Sequence, residues 1–211
     1  MPGLLLVLLL GTAAPAQLPD LRQGYLEAEA LIESRKFDDY RALRPALDPY
    51  PLAVYLDYQE LEARLIAVDG EQALAFLDRA QDTPLALRFR GHYLRAQGKL
   101  RRWDNLLAVS PEPPNSVDLQ CYYYRAHNMA GDRELAWRGA RALWTHGKSR
   151  PKACDPLFKE WLKAGNMTDD ISWQRQLLAF DARRRGLMSY AADQGSAALK
   201  PWSDKLLSAY H

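Results

Sequence analysis

The chain has 211 residues, of which 48% are hydrophobic and 26% are charged, the balance of an ordinary water-soluble protein. Its 28 basic residues stand among 26 acidic ones, and the formal net charge of +2 is too small to indicate a nucleic-acid partner. The length allows one domain with a substantial core, or a solenoid of several helix pairs.

The chain begins with the pattern of a secretory signal. Leu4 to Leu10 form an uninterrupted apolar run, followed by Gly11 and by the small residues around Ala14 and Ala16 that suit a cleavage site. A run of this length is too short to span a bilayer, and no cysteine follows it to carry a lipid. The usual positive residues before the run are missing, so only the α-amine supplies charge there. We predict a signal peptide over residues 1–16 and an exported, periplasmic domain over 17–211 with no stable membrane insertion.

The mature chain is predicted to be helical, because apolar residues recur at three- and four-residue steps between breaks at proline, glycine and aspartate. The first three predicted helices cover residues 18–34, 38–43 and 52–68, the last ending before Asp69. The later helices are predicted at residues 71–80, 84–97, 103–109, 116–130, 133–146, 155–164, 171–184, 187–194 and 203–210.

Three glycines indicate a repeat. Gly98, Gly131 and Gly165 are spaced by 33 and 34 residues, and each is predicted to end a helix before a polar turn. This period suits tetratricopeptide-like helix pairs, although the tetratricopeptide consensus is poorly met. No stretch alternates at period two, so no sheet is expected. The predicted fold class is all-α, a solenoid of antiparallel helix pairs.

The two cysteines are predicted to meet. Cys121 lies near the start of the helix at 116–130, and Cys154 stands just before the helix at 155–164. Two antiparallel steps return the chain to the same end of the stack, which favours a Cys121–Cys154 disulfide in an oxidising compartment, worth about 3–4 kcal/mol. The alternative is a pair of free buried thiols, which would be ordinary in a cytosolic protein.

Three segments carry a resemblance to a known family. They read WDNLLAVSPEP from Trp103, QCYYYRA from Gln120 and AWRGARALWTHGKSRPKACDPLF from Ala136. In this order they resemble the N-terminal helical superhelix of the large soluble lytic murein transglycosylases, and the phrase around Tyr50-Pro51-Leu52 is a second point of resemblance. The likeness continues more weakly from about residue 21 to 177. It implies a right-handed superhelix and agrees with a cysteine pair at Cys121 and Cys154.

The catalytic residues of that family cannot be placed on this chain. The resemblance implies a separate lysozyme-like domain with a catalytic glutamate in a Glu-Ser motif and a Gly-Leu-Met-Gln motif downstream. Glu33-Ser34 is the only Glu-Ser pair here and has no such partner, so the end of an exposed helix explains it better. We therefore predict no catalytic residue and no lysozyme-like domain in these 211 residues.

No metal or cofactor site is predicted either. The four histidines are far apart and none has a cysteine or acid at ligand spacing; only a meeting of His127 with His146 across two helices is conceivable, and it has no third ligand. The adjacent acids Asp38-Asp39 and Asp169-Asp170 suit helix caps or solvated turns. No glycine-rich phosphate loop is present. The histidines are His92, His127, His146 and His211.

The run Tyr122-Tyr123-Tyr124 has two interpretations. Tyrosine rings stack on sugars, so the run could touch glycan. Three consecutive tyrosines on a helix more often serve as core on two sides and as an interface on the third. No substrate-binding residue can be named from the sequence.

Two functions are consistent with these patterns. In the first, the chain is the scaffold part of a soluble lytic murein transglycosylase, truncated or split from its catalytic domain and inactive alone. The family reaction implied is cleavage of the MurNAc–GlcNAc β-1,4 bond with a 1,6-anhydro product, and the implied partners are glycan strands reached through a catalytic domain, and other periplasmic proteins. In the second, it is a free-standing periplasmic adaptor that binds proteins in a tetratricopeptide-like groove. A neighbouring reading frame with the two catalytic motifs would favour the first.

Overall fold

The computed structural model describes residues 18–210, and the predicted signal peptide at 1–16 lies outside this range. Within it all regular structure is helical, which confirms the all-α prediction. Three short 3-10 turns occur at Arg44–Leu47, Leu65–Ala67 and Lys152–Cys154. The α-helices are α1 (Leu18–Glu33), α2 (Phe37–Leu43), α3 (Ala53–Ala63), α4 (Gly70–Arg79), α5 (Pro84–Leu100), α6 (Trp103–Val109), α7 (Val117–Met129), α8 (Arg133–Trp144), α9 (Asp155–Lys163), α10 (Asp169–Asp181), α11 (Arg185–Ala192) and α12 (Lys200–Ser208).

Side-chain caps fix several of the helix starts. Asp69 accepts a hydrogen bond from the backbone N–H of Gln72 at 2.8 Å, and Asp132 accepts one from Leu135 at 3.2 Å. Thr168 does the same at the start of α10. Each cap satisfies an N–H that the helix itself leaves without a partner.

The third predicted helix is shorter than expected. It was predicted to reach residue 68, but α3 ends at Ala63 and a 3-10 turn follows. At Arg64 the backbone leaves the helical region, with φ −122° and ψ 25°. The turn places Val68 in the interior and Asp69 at the N-cap of α4.

The three repeat glycines differ in role. Gly131 and Gly165 follow helix ends with φ of 93° and 75°, conformations that suit glycine, as predicted. Gly98 was predicted to end a helix, and this is wrong, because α5 continues to Leu100. A Cβ at Gly98 would lie 2.4 Å from Cγ of Tyr122, so this glycine allows close packing of α5 against α7.

The described residues form two compact units. The first unit ends at Arg64 and contains α1 to α3. Its helices pack around buried apolar side chains, with Leu56 and Ala28 fully enclosed. The rings of Tyr25 and Tyr50 lie 5.4 Å apart at the margin of this core. The buried core residues are Leu21, Ala28, Ile32, Tyr40, Leu47, Ala53 and Leu56.

The second unit begins at Leu65 and contains α4 to α12. Successive helices pack on each other, α7 against α8 and α10 against α11 most extensively. Its main cluster is aromatic, with the rings of Trp144 and Trp161 5.9 Å apart and both fully buried. Phe158 and Leu157 of α9 belong to the same cluster, as the helical pattern of that segment indicates.

None of the helices within residues 18–210 combines the length and the apolar character that crossing a bilayer requires. The signal-peptide boundary and the extent of the domain over 17–211 stay predictions.

Candidate functional site

A disulfide joins α7 to the 3-10 turn that precedes α9 in the second unit. Cys121 on α7 and Cys154 just before α9 form this bond, with their Cα atoms 4.8 Å apart. Both residues are fully buried in the aromatic cluster. The link spans 33 residues and so encloses all of α8. Because it restricts the unfolded chain, a crosslink of this length stabilises the fold by about 3–4 kcal/mol in the chain-entropy model.

The tyrosine run is used for packing. The ring of Tyr122 covers Gly98, and the ring of Tyr124 lies against Gly139, where a Cβ would come within 2.3 Å of it. Tyr123 is buried and donates from its hydroxyl to the carbonyl of Pro111 at 3.2 Å. All three rings therefore face neighbouring helices or loops, which favours the core interpretation over contact with glycan.

The acidic candidates occupy helix ends. Glu33 is the last residue of α1 and is exposed, so its carboxylate lacks the enclosed setting of a general acid. Asp38 in the first turn of α2 is exposed and pairs with Arg41 at 2.9 Å. Asp169 accepts from the backbone N–H and hydroxyl of Ser196 at 2.7 and 2.6 Å, and these bonds lower the pKa of Asp169. Each carboxylate thus has a structural explanation.

His127 and His146 have ordinary local contacts. His127 lies 3.4 Å from Asp132 and packs against the ring of Tyr123, while His146 accepts a hydrogen bond from the backbone N–H of Lys148. Over residues 18–210 no three His, Cys, Asp or Glu side chains gather closely enough to hold a metal ion.

A buried acid–arginine network in the first unit was not predicted from the sequence. The carboxylate of Asp57 accepts from Arg44 at 2.8 and 2.9 Å and from the hydroxyl of Tyr40 at 2.6 Å. Burial and the bond to Asp57 raise the pKa of Tyr40 well above its ordinary value. Burial alone would lower the pKa of Arg44, but the bonds to Asp57 outweigh it and raise that pKa. Nearby, Glu60 pairs with Arg41 and Arg64. The network is closed and leaves no reactive group.

A cleft in the second unit contrasts with this network. It has a volume of about 680 Å³ and lies among α9, α10, α11 and the segment before α9. Its wall combines cations with aromatic rings. The residues that matter here are Arg150, Asp155, Phe158, Lys159, Arg175 and Tyr190.

Arg175 is the unusual residue of this cleft. It is only 3% exposed, yet its Nε and Nη1 have no hydrogen-bond partner within residues 18–210. Its guanidinium stacks 4.2 Å from the ring centroid of Trp144 and 5.6 Å from that of Tyr190. Burial, with a smaller contribution from Arg150, lowers the pKa of Arg175 to about 10. The side chain still carries its charge at neutral pH.

Arg150 is a second cation of this cleft, and it is half-buried. Its Nε donates to the carbonyl of Leu143 at 2.8 Å, which fixes the guanidinium with one of its five N–H donors. Burial lowers the pKa of Arg150 as well. The cleft therefore holds two neighbouring arginines whose positive charge burial disfavours.

Sequence reasoning missed this cleft, but a signal for Arg175 was present. On α10 the buried residues Ile171, Arg175 and Ala179 recur every four positions, so a charged residue occupies the inward stripe. An arginine at such a position needs an acid, a stack of rings or a ligand.

Within residues 18–210 the fold is all-α, and Asp38, Asp169, His127 and His146 have local structural contacts. No family model matches the chain. It is, however, 30% identical over 206 residues to the soluble lytic murein transglycosylase of Escherichia coli K12, a match that covers 98% of this chain and 32% of that protein. The enzyme of the same name from Salmonella typhimurium is 32% identical over 177 residues, covering 84% of this chain and 27% of that protein.

Solved structures similar to this chain are also lytic transglycosylases. The 70-kDa soluble lytic transglycosylase of Escherichia coli superposes with a TM-score of 0.75 at 30% identity, over 92% of this chain and 31% of that one. An inactive mutant of the lytic transglycosylase Slt from Pseudomonas aeruginosa gives a TM-score of 0.70 at 31% identity, over 89% and 30% of the two chains. A 70-kDa soluble lytic transglycosylase solved in complex with bulgecin A also gives a TM-score of 0.75 at 30% identity.

This chain is homologous to part of the soluble lytic murein transglycosylases, and the predicted fold class is confirmed by the structural match. It spans about one third of the length of these relatives. The resemblance recognised from the segments at Trp103, Gln120 and Ala136 is thus confirmed.

Proposed function

We propose that the chain is the helical scaffold part of a soluble lytic murein transglycosylase and is inactive by itself. The supporting observation is the sequence match, which covers 98% of this chain but only 32% of the Escherichia coli enzyme. The lack of an enclosed acid among Glu33 and the paired aspartates is consistent with it.

In this proposal the chain positions a catalytic domain or the glycan strand presented to it. The reaction of the complete enzyme would be cleavage of the MurNAc–GlcNAc β-1,4 bond with a 1,6-anhydro product. Export through the signal peptide at residues 1–16 would place the protein in the periplasm, where peptidoglycan lies and where the Cys121–Cys154 disulfide would persist.

A chimera tests the proposal. The chain replaces the matching third of the Escherichia coli enzyme, and release of anhydromuropeptides from purified sacculi is measured for the chimera, the native enzyme, the enzyme lacking that third, and the chain alone. We expect the chimera to exceed the truncated enzyme and the chain alone to release nothing. If the chimera performs no better than the truncated enzyme, the scaffold role is wrong and the adaptor hypothesis gains support.

The Glu33→Gln variant is the control for the assay of the chain alone. If the chain releases anhydromuropeptides and Glu33→Gln abolishes that release, the proposal that the chain is inactive is overturned and Glu33 is the catalytic acid.

A further inference from the structure

The cleft of the second unit holds a buried cation that no residue among 18–210 neutralises. Arg175 is more than nine-tenths buried and two of its nitrogens have no partner there. Asp155 also lines the cleft, but it is exposed and forms no ion pair with another described residue. Three cations, Arg150, Lys159 and Arg175, thus face the cleft against one solvated carboxylate.

The stacking of Arg175 defines what could bind it. The guanidinium carbon of Arg175 lies 4.2 Å from the ring centroid of Trp144 and 5.6 Å from that of Tyr190, contacts that leave Nε and Nη1 without a hydrogen-bond acceptor among residues 18–210. A guanidinium carries pairs of parallel N–H donors that match the two oxygens of a carboxylate, and such bidentate pairs are among the strongest hydrogen bonds in proteins. Because the rings restrict the rotation of the side chain, little entropy is lost on binding.

The remaining wall indicates an organic ligand. Phe158, Leu187 and the ring of Tyr190 give the cleft an apolar side, and its volume of about 680 Å³ lies within the range of small-molecule sites. A bare inorganic anion would satisfy the arginines but leave this side empty. A carboxylate attached to a sugar or to a short peptide would use both.

We propose that this cleft binds a carboxylate of a peptidoglycan fragment, with Arg175 as the principal contact and Arg150 and Lys159 as supporting cations. The choice of peptidoglycan rests on the proposed function; the choice of a carboxylate rests on the cleft alone. Two sources share this chemistry, the lactyl group of N-acetylmuramic acid and the C-terminus of a stem peptide.

Titrations of the oxidised full-length chain separate the sources. Binding is followed by NMR at the indole N–H of Trp144 and at the side-chain N–H groups of Arg175. The probes are N-acetylmuramic acid with N-acetylglucosamine as its uncharged match, N-acetyl-D-alanyl-D-alanine with its C-terminal amide, and inorganic phosphate. We expect saturable shifts with at least one carboxylate probe and at least tenfold weaker binding of its uncharged match, a difference of about 1.4 kcal/mol. The probe that binds identifies the source.

Substitutions locate the site. Arg175→Gln should weaken binding at least tenfold, and Arg175→Lys should restore only part of it, since a lysine keeps the charge but loses the planar fork. Lys159→Gln should weaken binding two- to fivefold, whereas Lys163→Gln, one turn further along α9 and outside the cleft, should leave it unchanged. If Arg175→Gln does not fold, the pair of lysine variants decides the question.

Three results of the titrations would overturn the proposal: no saturable shift with either carboxylate, equal affinity for a carboxylate and its uncharged match, or phosphate binding as tightly as both carboxylates. Among the variants, a larger loss of affinity with Lys159→Gln than with Lys163→Gln supports the proposal, and an equal or reversed loss contradicts it. The titrations measure binding to the isolated chain and the chimera assay measures release from sacculi, so failure of either experiment leaves the other interpretable.

Discussion

Two arginines, the half-buried Arg44 of the first unit and the buried Arg175 of the second, have opposite surroundings. Arg44 in the first unit meets Asp57 through two hydrogen bonds, and this pairing raises its pKa although burial alone would lower it. Arg175 in the second unit has aromatic rings in place of an acid, and its pKa falls to about 10. The same residue type therefore stabilises the first unit through a closed network and stays electrostatically uncompensated in the second.

The comparison indicates where function could lie. A closed network such as that of Asp57 stabilises one packing arrangement and offers nothing to a ligand. An uncompensated buried cation costs stability, and proteins retain such groups most often at binding and catalytic sites. The second unit compensates with other interactions, namely its aromatic cluster and the Cys121–Cys154 disulfide.

The largest expected effect comes from reduction of that disulfide. Because the crosslink lies in the second unit, reduction should lower its stability by about 3–4 kcal/mol and leave the first unchanged. Hydrogen exchange should accelerate in α7 to α9 and stay constant in α1 to α3. The double variant Cys121→Ala with Cys154→Ala controls for the reductant.

Intact mass after alkylation without reduction tests the disulfide itself. It should show no modified thiol in exported protein, and two modified thiols would contradict the bond.

The next largest effect concerns the closed network. Asp57→Asn leaves the half-buried Arg44 with only the exposed carboxylate of Asp48 as a countercharge, so we expect a loss of about 3 kcal/mol in the free energy of unfolding, measured with urea. Asp48→Asn is the matched control, since Asp48 also pairs with Arg44 but its side chain is 74% exposed, and it should cost less than about 0.5 kcal/mol. Equal losses for the two variants would show that burial is not what makes the network strong.

The smallest effect tests a half-exposed pair in the second unit. Burial opposes ionisation of Asp118, but its hydrogen bonds to Arg95 and Ser116 prevail and lower the pKa of Asp118. A carboxylate whose pKa is lowered by folding stabilises the folded state at pH values above its pKa in the unfolded chain. This contribution disappears as the pH falls through its pKa in the folded protein. Asp118→Asn should thus cost up to about 1 kcal/mol at neutral pH and nothing in strong acid. Urea unfolding at several pH values measures this, and a loss independent of pH would contradict it.

Much of the fold could be predicted because local signals and packing agree. Caps such as Asp69 and Asp132 and the apolar stripe of α9 determine helix positions within a few residues. Gly98 shows the limit, since a glycine that ends a helix and one that admits a ring look alike in sequence. The Asp57 network and the Arg175 cleft could not be predicted, because each joins residues from helices whose spatial arrangement the sequence pattern does not specify.

The most direct test of the contrast is one matched pair of substitutions, Arg44→Met and Arg175→Met, compared by urea unfolding at neutral pH. Arg44→Met removes the two charge-assisted hydrogen bonds that the buried Asp57 accepts from Arg44 and should cost about 3 kcal/mol. Arg175→Met removes an uncompensated charge and keeps much of the side-chain volume against Trp144, so stability should change by less than about 1 kcal/mol or increase. A loss for Arg175→Met as large as that for Arg44→Met would contradict the account, because it would mean that Arg175 is fully compensated where it lies.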